Sequence, residues 1–425
     1  MSIIRRGMRA DGLSDAVIKE ALLESIAGRT LRRVLIIPPD FTRFHSNAGF
    51  ITNAYYHMLA DLNCEVDVLP ALGTHEPVTP EQCAQMFGDL PFERLIPHNW
   101  RTDVVRIGEV PASYLSEITG GLWNEPVRVE INRRVMDPSY DLILSVGQVV
   151  PHEVIGMANH SKNLFVGVGG SDMINSSHMV GAVYGMERIM GKDHTPVRRI
   201  FDYSLRFLKE RPVLFVLTVT TAPAGQIRTH GLFIGEERDV LEAAIALSQQ
   251  TNIDFLERPI QKCVVYLDPE EFKSTWLGNK AVYRTRMAIA DGGELIVLAP
   301  GVERFGEDGA VDLLIRKYGY CGRLNVLELF RQNEDIRNNM GAAAHLIHGS
   351  SDGRFSVTYA VKRISQQEIE SVQFHAADYE EMIQRYNPHS LSYGFNLLPD
   401  GEEIYYIPNP ALGLWIDRSR MSSNF

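Results

Sequence analysis

The sequence is poor in cysteine and contains no long apolar run. Its four cysteines are scattered without a CxxC pair, so neither a disulfide framework nor a zinc knuckle is expected. This usage is typical of a reducing compartment. Apolar residues nowhere continue for the roughly 18 positions that a membrane span needs. The first residues also lack the apolar core of a secretory signal. We therefore expect a cytoplasmic protein without a membrane partner.

A basic surface is missing as well. The formal net charge of −11 argues against a nucleic-acid partner, which would favour a positive face. The content of 45% hydrophobic and 22% charged residues is that of an ordinary globular protein. A chain of 425 residues is long enough for two domains, each with its own core.

Several well-known catalytic motifs are absent from the sequence. It contains no GxxxxGK[ST], HExxH or GxSxG. The segment GVGGSD at 167–172 only loosely resembles a dinucleotide-binding glycine loop. P-loop, zinc-protease and serine-hydrolase chemistry are therefore not expected.

The order of apolar segments predicts an α/β fold with largely parallel or mixed sheets. Short apolar strands at Val34–Ile37, Cys64–Leu69 and 140–147 alternate with helical patterns at Asp15–Ala27 and Asn47–Leu62. A further helix is expected after Thr79, which can cap it, with Pro80 in its first turn.

A second α/β unit is predicted downstream of an antiparallel strand pair after residue 212 and a helix at 236–249. It contains a strand at 262–270, a helix at 275–290, a strand at 292–301 and an irregular end at 408–425. We therefore expect an N-terminal domain at 1–257 and a C-terminal domain at 258–410 that closes an active-site cleft between them. A tail at 411–425 is expected to pack back on the N-terminal domain.

Three unusual polar loops follow predicted strands: PPDFTRFH, LGTHEP and GQVVPHEVIG. Ligands bind at the carboxyl ends of parallel strands. If the three strands are neighbours, Asp40, Arg43, His75 and His152 share one rim. Each histidine can be a general acid or base, or a surface-loop residue. Arg43 can grip a carboxylate or phosphate, or can pair with Asp40 to hold the loop.

The stretch from Pro151 to His178 is rich in polar chemistry. Its 28 residues include three histidines, one lysine and four glycines. A neutral His178 could offer a nitrogen to a metal ion. The alternative is a glycine-rich turn with hydrogen-bonded histidines, and the residues alone leave both open.

Taken together, these motifs resemble the nickel-pincer nucleotide-dependent lactate racemase family. The resemblance is carried by DxTR at 40–43, GTHxPxTxEQ at 73–82 and PHxxxG at 151–156. Lys162 and His178 follow at the expected separations, and residues 279–281 precede GGELIVLAPG. The match keeps the order of the motifs from about residue 40 to residue 300.

The resemblance implies a racemase or epimerase of a small 2-hydroxy acid that works by hydride transfer to and from a nickel-pincer nucleotide. This cofactor is a pyridinium bisthiocarboxylic acid mononucleotide carrying nickel, and separate biosynthetic enzymes must supply it. The implied roles are covalent attachment for Lys162, nickel coordination for His178, alternating acid and base for His75 and His152, the cofactor pocket for Asp40 and Thr42, and the substrate carboxylate for Arg43 and Lys280.

Two departures from the family pattern stand out. Residues 159–161 (Asn-His-Ser) precede Lys162 where many members have glycines. Trp276 and Leu277 stand at substrate-binding positions where a tyrosine and a glutamine are expected. A leucine in place of an amide predicts a larger or more apolar substrate side group than that of lactate.

Two other functions stay open at this point. The same histidines could serve a metal-assisted lyase or hydrolase, with Lys162 unmodified. Alternatively, the chain could bind the nickel nucleotide without catalysis. The oligomeric state is also open, a homo-oligomer being one possibility.

Overall fold

The computed structural model describes residues 2–8, 10–411 and 413–420, and the chain forms two compact units. The first unit comprises Met1–Ser177 and Gly191–Asn252. The second comprises His178–Met190 and Ile253–Phe425.

The first unit is built on a mixed sheet with the strand order β1-β10-β9-β6-β2-β3. Strands β9, β6, β2 and β3 run parallel, whereas β10 and β1 are antiparallel to their neighbours. Two small antiparallel pairs, β4–β5 and β7–β8, lie outside this sheet. The strands are β1 Ile3–Arg6, β2 Arg33–Ile37, β3 Glu65–Val68, β4 Val104–Val110, β5 Val127–Asn132, β6 Leu142–Gln148, β7 Pro151–His152, β8 Gly156–Met157, β9 Val213–Thr221 and β10 Arg228–Gly235.

Helices connect these strands. They are α1 Asp15–Ile26, α2 Ala48–Asp61, α3 Pro80–Phe87, α4 Ala112–Thr119, α5 Ser171–Tyr184, α6 Pro196–Ser204 and α7 Arg238–Asn252. Short 3-10 turns lie at Phe41–Ser46, Phe92–Arg94, Arg133–Met136, Met186–Arg188, Leu205–Leu208 and Pro223–Gly225, and a π turn at Asn163–Gly167. Helix α3 begins as predicted: Thr79 and Gln82 form a capping box, and Pro80 is in the first turn.

The core of the first unit explains why its strands read as continuous apolar runs. Val34 to Ile37 are completely buried in β2, and Leu142 to Leu144 are completely buried in β6. Strands covered on both faces need apolar side chains at every position. Helices α1 and α2 contribute Leu22 and Tyr55 to one side of this core.

The second unit has its own sheet, ordered β15-β14-β13-β12-β17-β16, in which only β16 is antiparallel among the described strands. Its strands are β11 Ile253–Leu256, β12 Ile260–Tyr266, β13 Ile289–Ala299, β14 Ser356–Val361, β15 His375–Asp378, β16 Gly394–Leu397, β17 Glu403–Ile407 and β18 Leu414–Asp417. Its helices are α8 Thr275–Gly278, α9 Lys280–Thr285, α10 Gly309–Tyr318, α11 Arg323–Gln332, α12 Glu334–Arg337, α13 Met340–His348, α14 Gln366–Ser371 and α15 Tyr379–Arg385, followed at the end by a 3-10 turn, Arg418–Arg420.

Two sequence predictions in the second unit were wrong. The helix expected at 275–290 is divided at Asn279, whose ψ of 0° shifts the bonding so that the Val282 N–H reaches the Asn279 carbonyl at 2.9 Å. It then ends at Thr285, because Ile289 pairs with Ile260 in the sheet. The end expected to be irregular contains β18, which runs parallel to β11. Residues 421–425 of that end lie outside the described residues.

The α/β fold class, with largely parallel or mixed sheets, is confirmed. Among the described residues, none of the helices combines the length and the apolar character that crossing a membrane requires.

Candidate functional site

The three polar loops leave one edge of the first sheet. Strands β3, β2 and β6 are adjacent and parallel, so the condition for a shared rim is met. Pairing continues past the strand ends, where the Ala71 N–H donates to the Pro38 carbonyl at 2.7 Å. The loops after β2 and β3 are therefore held side by side as they leave the sheet.

Asp40 is the buried anchor of the first loop. Its Oδ1 accepts hydrogen bonds from the Thr42 backbone N–H at 3.1 Å and from the Thr42 hydroxyl at 2.6 Å. Its Oδ2 accepts a hydrogen bond from His75 Nδ1. The side chain of Asp40 is 7% exposed and that of His75 is 46% exposed. The carboxylate thus lies inside the protein while the imidazole reaches towards solvent.

The two groups shift each other's titration. Burial raises the pKa of Asp40, but the charge of His75 and the hydrogen bonds from His75 and Thr42 outweigh it, so the pKa stays below 3.8. The Asp40 charge raises the pKa of His75 above 6.5, against desolvation and the positive charges of Arg43 and Lys162. Asp40, Arg43, His75 and Lys162 therefore interact electrostatically, and we call these four residues the rim cluster.

The hydrogen-bond partners of His152 differ from those of His75. It lies in the short hairpin of β7 and β8 and is buried. The backbone N–H of Val154 donates to its Nδ1 at 3.1 Å, and Glu153 Oε2 is 3.6 Å from the same nitrogen. Because Nδ1 accepts a hydrogen bond, a neutral His152 carries its proton on Nε2.

Lys162 directly precedes the π turn. Burial lowers the pKa of its amine to about 8, and the positive charges of Arg43 and Arg198 act in the same direction against Glu153 and Asp40. At pH 7 roughly a tenth of the amine is therefore neutral and nucleophilic, far more than for an ordinary lysine.

The backbone before Lys162 is held in a costly conformation. Asn159 and His160 have φ of 67° and 58°, in the left-handed region that favours glycine. Glycine would adopt this conformation without that cost. His160 is completely buried and stacks on Phe215 with ring centroids 3.7 Å apart, and burial keeps its pKa well below 6.5.

Arg198 stabilises this backbone. Its guanidinium is 1% exposed and donates to the Met157 carbonyl at 2.6 Å, the Ser161 hydroxyl at 2.8 Å and the Asn159 carbonyl at 3.2 Å. The Ser161 hydroxyl in turn donates to Asp202 at 2.9 Å. The backbone of 157–161 is thus held by one buried cation. We call Arg198 together with its partners Met157, Asn159 and Ser161 the Arg198 clamp.

Asn163 fixes the other side of Lys162. Its amide donates to the Ile37 carbonyl at the end of β2 and to the Ser145 hydroxyl in β6, both at 3.0 Å. Farther on, a Cβ at Gly169 would lie 1.8 Å from the Phe165 carbonyl oxygen, so only glycine fits there. The backbone that follows Lys162 is therefore held in place by hydrogen bonds and close packing.

Sequence reasoning did not identify Arg198, Asn163 or His98. His98 donates from Nε2 to the Gly169 carbonyl and accepts from the Asn132 amide, each at 3.0 Å. Of these three, only Asn163 had a sequence feature that could have pointed to it, because it directly follows Lys162. Arg198 comes 36 residues later, and nothing in its local sequence marks it as buried.

His178 lies in α5, at the point in the chain where the second unit begins. Its side chain is half-buried, and the residues before it, Ser176 and Ser177, are buried.

The remaining predicted residues lie in the second unit. Lys280 begins α9, with its ammonium 4.0 Å from Glu271 and 5.5 Å from the centre of the Phe272 ring. Leu277 is half-buried in α8. The half-buried indole of Trp276 stacks on His345, with centroids 4.1 Å apart.

The ring of His345 is held by an ordered chain of hydrogen bonds. The Thr275 hydroxyl donates to the Phe305 carbonyl at 3.0 Å, so it accepts from Tyr320 at 2.9 Å. Tyr320 then accepts from His345 Nε2 at 2.9 Å. We call Thr275, Trp276, Tyr320 and His345 the Trp276 stack; its chain of hydrogen bonds ends at the backbone carbonyl of Phe305.

Comparison with known proteins gives a consistent result. Residues 10–189 match the family model of the lactate racemase N-terminal domain. The whole chain is similar to a crystal structure of a protein from Thermotoga maritima, with a TM-score of 0.81 and 22% identity over 96% of this chain and 99% of that one. It is also similar to the lactate racemase apoprotein from Thermoanaerobacterium thermosaccharolyticum, with a TM-score of 0.70 and 16% identity over 95% and 93% of the two chains. No curated protein matches the sequence.

Residues 10–189 thus resemble a lactate racemase N-terminal domain, and the chain as a whole has the lactate racemase fold. The family resemblance inferred from the motifs is confirmed.

Proposed function

We propose that this protein is an isomerase that racemises or epimerises a small 2-hydroxy acid with the help of a nickel-pincer nucleotide. The observation that carries the proposal is the rim cluster: an Asp40–His75 pair, an arginine and a lysine of lowered pKa interact at the carboxyl edge of one sheet. The lactate racemase domain and fold support the same conclusion.

The residues present fit such a cofactor. Among the charged groups that act on Lys162, Arg43 has the largest effect, and its guanidinium would suit an anionic nucleotide. A partly neutral amine is the form that can become a thioamide nitrogen. The imidazole of His178 suits nickel as a ligand. We also propose that Asp40 and Thr42 belong to the cofactor pocket. Both oxygens of Asp40 are engaged by Thr42 and His75.

The protein's own residues then divide the work. When bound, the nucleotide supplies a hydride acceptor and donor for C2 of the substrate. Arg43 and Lys280 bind the substrate carboxylate. His75 would take the hydroxyl proton on one face of the substrate, and His152 would return a proton on the other face. The half-buried Trp276 and Leu277 select an apolar side group.

The test is to produce the chain together with the enzymes that make the nickel-pincer nucleotide. Intact mass and peptide mapping should show an adduct on Lys162 with about one nickel per chain. The matched control, Lys162→Arg, keeps the positive charge and should carry neither. Loaded protein should then interconvert the enantiomers of a 2-hydroxy acid, in a panel from lactate to aliphatic, aromatic and dicarboxylic members.

Each failure has its own meaning. An unmodified chain without nickel would overturn the proposal in favour of a metal-assisted lyase or hydrolase. An adduct with nickel but no turnover of any substrate would identify a binding protein instead. We also propose a cytoplasmic site of action, which the scattered free cysteines support. Light scattering would test whether the chain forms a homo-oligomer.

A further inference from the structure

We propose that Asp40 is a positioning residue that fixes the proton of a neutral His75 on Nδ1, so that the two candidate acid–base histidines rest in opposite tautomers. The inference rests on the proposed function for its catalytic meaning, but its structural content stands without it. It gives Asp40 a defined role on His75, in addition to its proposed place in the cofactor pocket.

The hydrogen bonds of Asp40 allow one arrangement. Thr42 supplies two donors to Oδ1, which leaves Oδ2 for His75. A carboxylate can only accept, so His75 Nδ1 must carry a proton. Nε2, on the other edge of the ring, is then the unprotonated nitrogen of the neutral form. A buried carboxylate that orients an exposed imidazole is an established way to prepare a base.

His152 has the reverse arrangement. Its Nδ1 accepts the N–H of Val154, so the neutral ring has its proton on Nε2. A substrate hydroxyl lying between the two rings would meet an acceptor from His75 and a donor from His152. The proton step is then defined: the substrate O–H bond breaks, an N–H bond forms at His75 Nε2, and Asp40 remains ionised beside the resulting imidazolium.

Asparagine at position 40 should reverse the tautomer of His75. The two donors of Thr42 would keep the amide oxygen at the Oδ1 position, which places the NH₂ group against His75 Nδ1. That nitrogen must then accept, and the proton moves to Nε2. The base is blocked although the shape of the side chain is unchanged.

The charges around His75 give a second readout. The groups that act on it are Asp40, Arg43 and Lys162. In Asp40→Asn the two that remain are both positive, so the pKa of His75 should fall.

The experiment uses ¹⁵N-histidine NMR on the apoprotein and kinetics on the loaded enzyme. His75→Gln and His152→Gln assign the two signals. We expect wild type to show Nδ1–H for His75 and Nε2–H for His152, and Asp40→Asn to show Nε2–H for His75. In the loaded enzyme, Asp40→Asn should lower kcat roughly 1000-fold with little change in KM, whereas Asp40→Glu should recover part of it.

Asp67→Asn is the control, because it removes another buried carboxylate of this unit, bonded to Arg33 and Tyr140. It should leave the His75 signals unchanged. An Nε2–H tautomer for His75 in wild type, or an Asp40→Asn variant with kcat within threefold of wild type, would overturn the inference. If Asp40→Asn does not fold, the wild-type tautomers decide alone. If wild type loaded with cofactor turns over no 2-hydroxy acid, the proposed function fails while the NMR result still stands.

Discussion

The rim cluster and the Trp276 stack solve the same problem, the fixing of a side chain, by different means. In the rim cluster and the Arg198 clamp, which we treat here as one region, loop residues are oriented by a carboxylate, a buried cation and backbone hydrogen bonds. In the Trp276 stack, ring stacking and a chain of hydroxyl hydrogen bonds orient residues on helices. Charged groups that are fixed by buried partners lose much when one partner is removed, whereas stacked rings lose little. The difference agrees with the roles that we propose, chemistry for the first region and substrate selection for the second.

The largest expected effect is on the Arg198 clamp. Arg198→Met would leave the Met157 and Asn159 carbonyls and the Ser161 hydroxyl without their buried donor. We expect it to lower the free energy of unfolding by about 3 kcal/mol or more in urea titrations. Tyr320→Phe, which breaks the chain of the Trp276 stack, should cost only about 1 kcal/mol. Equal losses would remove the contrast between the two regions.

A smaller effect is expected in the reactivity of two lysines. With a pKa of about 8, Lys162 should be acetylated at pH 7.5 on the order of 100-fold faster than an ordinary lysine in the apoprotein. Lys262, in the second unit, is the control: burial opposes it, but hydrogen bonds with Glu402 and Glu294 outweigh burial and raise its pKa. Competitive labelling with acetic anhydride and peptide mass spectrometry measures both. Labelling of Lys162 no faster than that of Lys262 would show that the amine is not activated.

The smallest effect is on stability as a function of pH. The lowered pKa of Asp40 stabilises the fold above about pH 3.8, and this is lost as pH falls through the folded value. The raised pKa of His75 stabilises it below about pH 6.5, and this is lost as pH rises through the folded value. Asp40→Asn should therefore lower Tm most between these limits, by a small amount because His75 is half-exposed.

The same measurement on Asp67→Asn provides the comparison. Its partners, Arg33 and Tyr140, do not include a histidine. Its effect on Tm should therefore stay constant as pH crosses 6.5, whereas that of Asp40→Asn should shrink. Parallel curves for the two variants would argue against the ionic pairing of Asp40 with His75.

The sequence did not predict β1, which is short and partly exposed. It was sufficient for β2 and β6, because these strands are buried on both faces and read as apolar runs. It also led to the rim, since adjacent parallel strands bring their loops to one edge. The partners within the rim were not predictable. Whether Asp40 pairs with Arg43, three residues away, or with His75, 35 residues away, depends on tertiary placement.

The errors in the second unit have a similar origin. Residues 275–290 have a helical pattern, but pairing of Ile289 with Ile260 overrides it. Strand β18 is short, and its partner β11 precedes it by about 160 residues. The local sequence therefore does not indicate the pairing.

The chain order does not follow the division into units, and this limits how the protein can be dissected. Residues 178–190 belong to the second unit, where Met186 and Met190 share a core with Tyr283, Met287 and Leu414. A fragment starting at residue 253 would lack Met186 and Met190 of that core. A cut after residue 190 would likewise leave both methionines on the N-terminal fragment. Split-protein or domain-exchange designs must therefore carry this thirteen-residue piece as a separate graft.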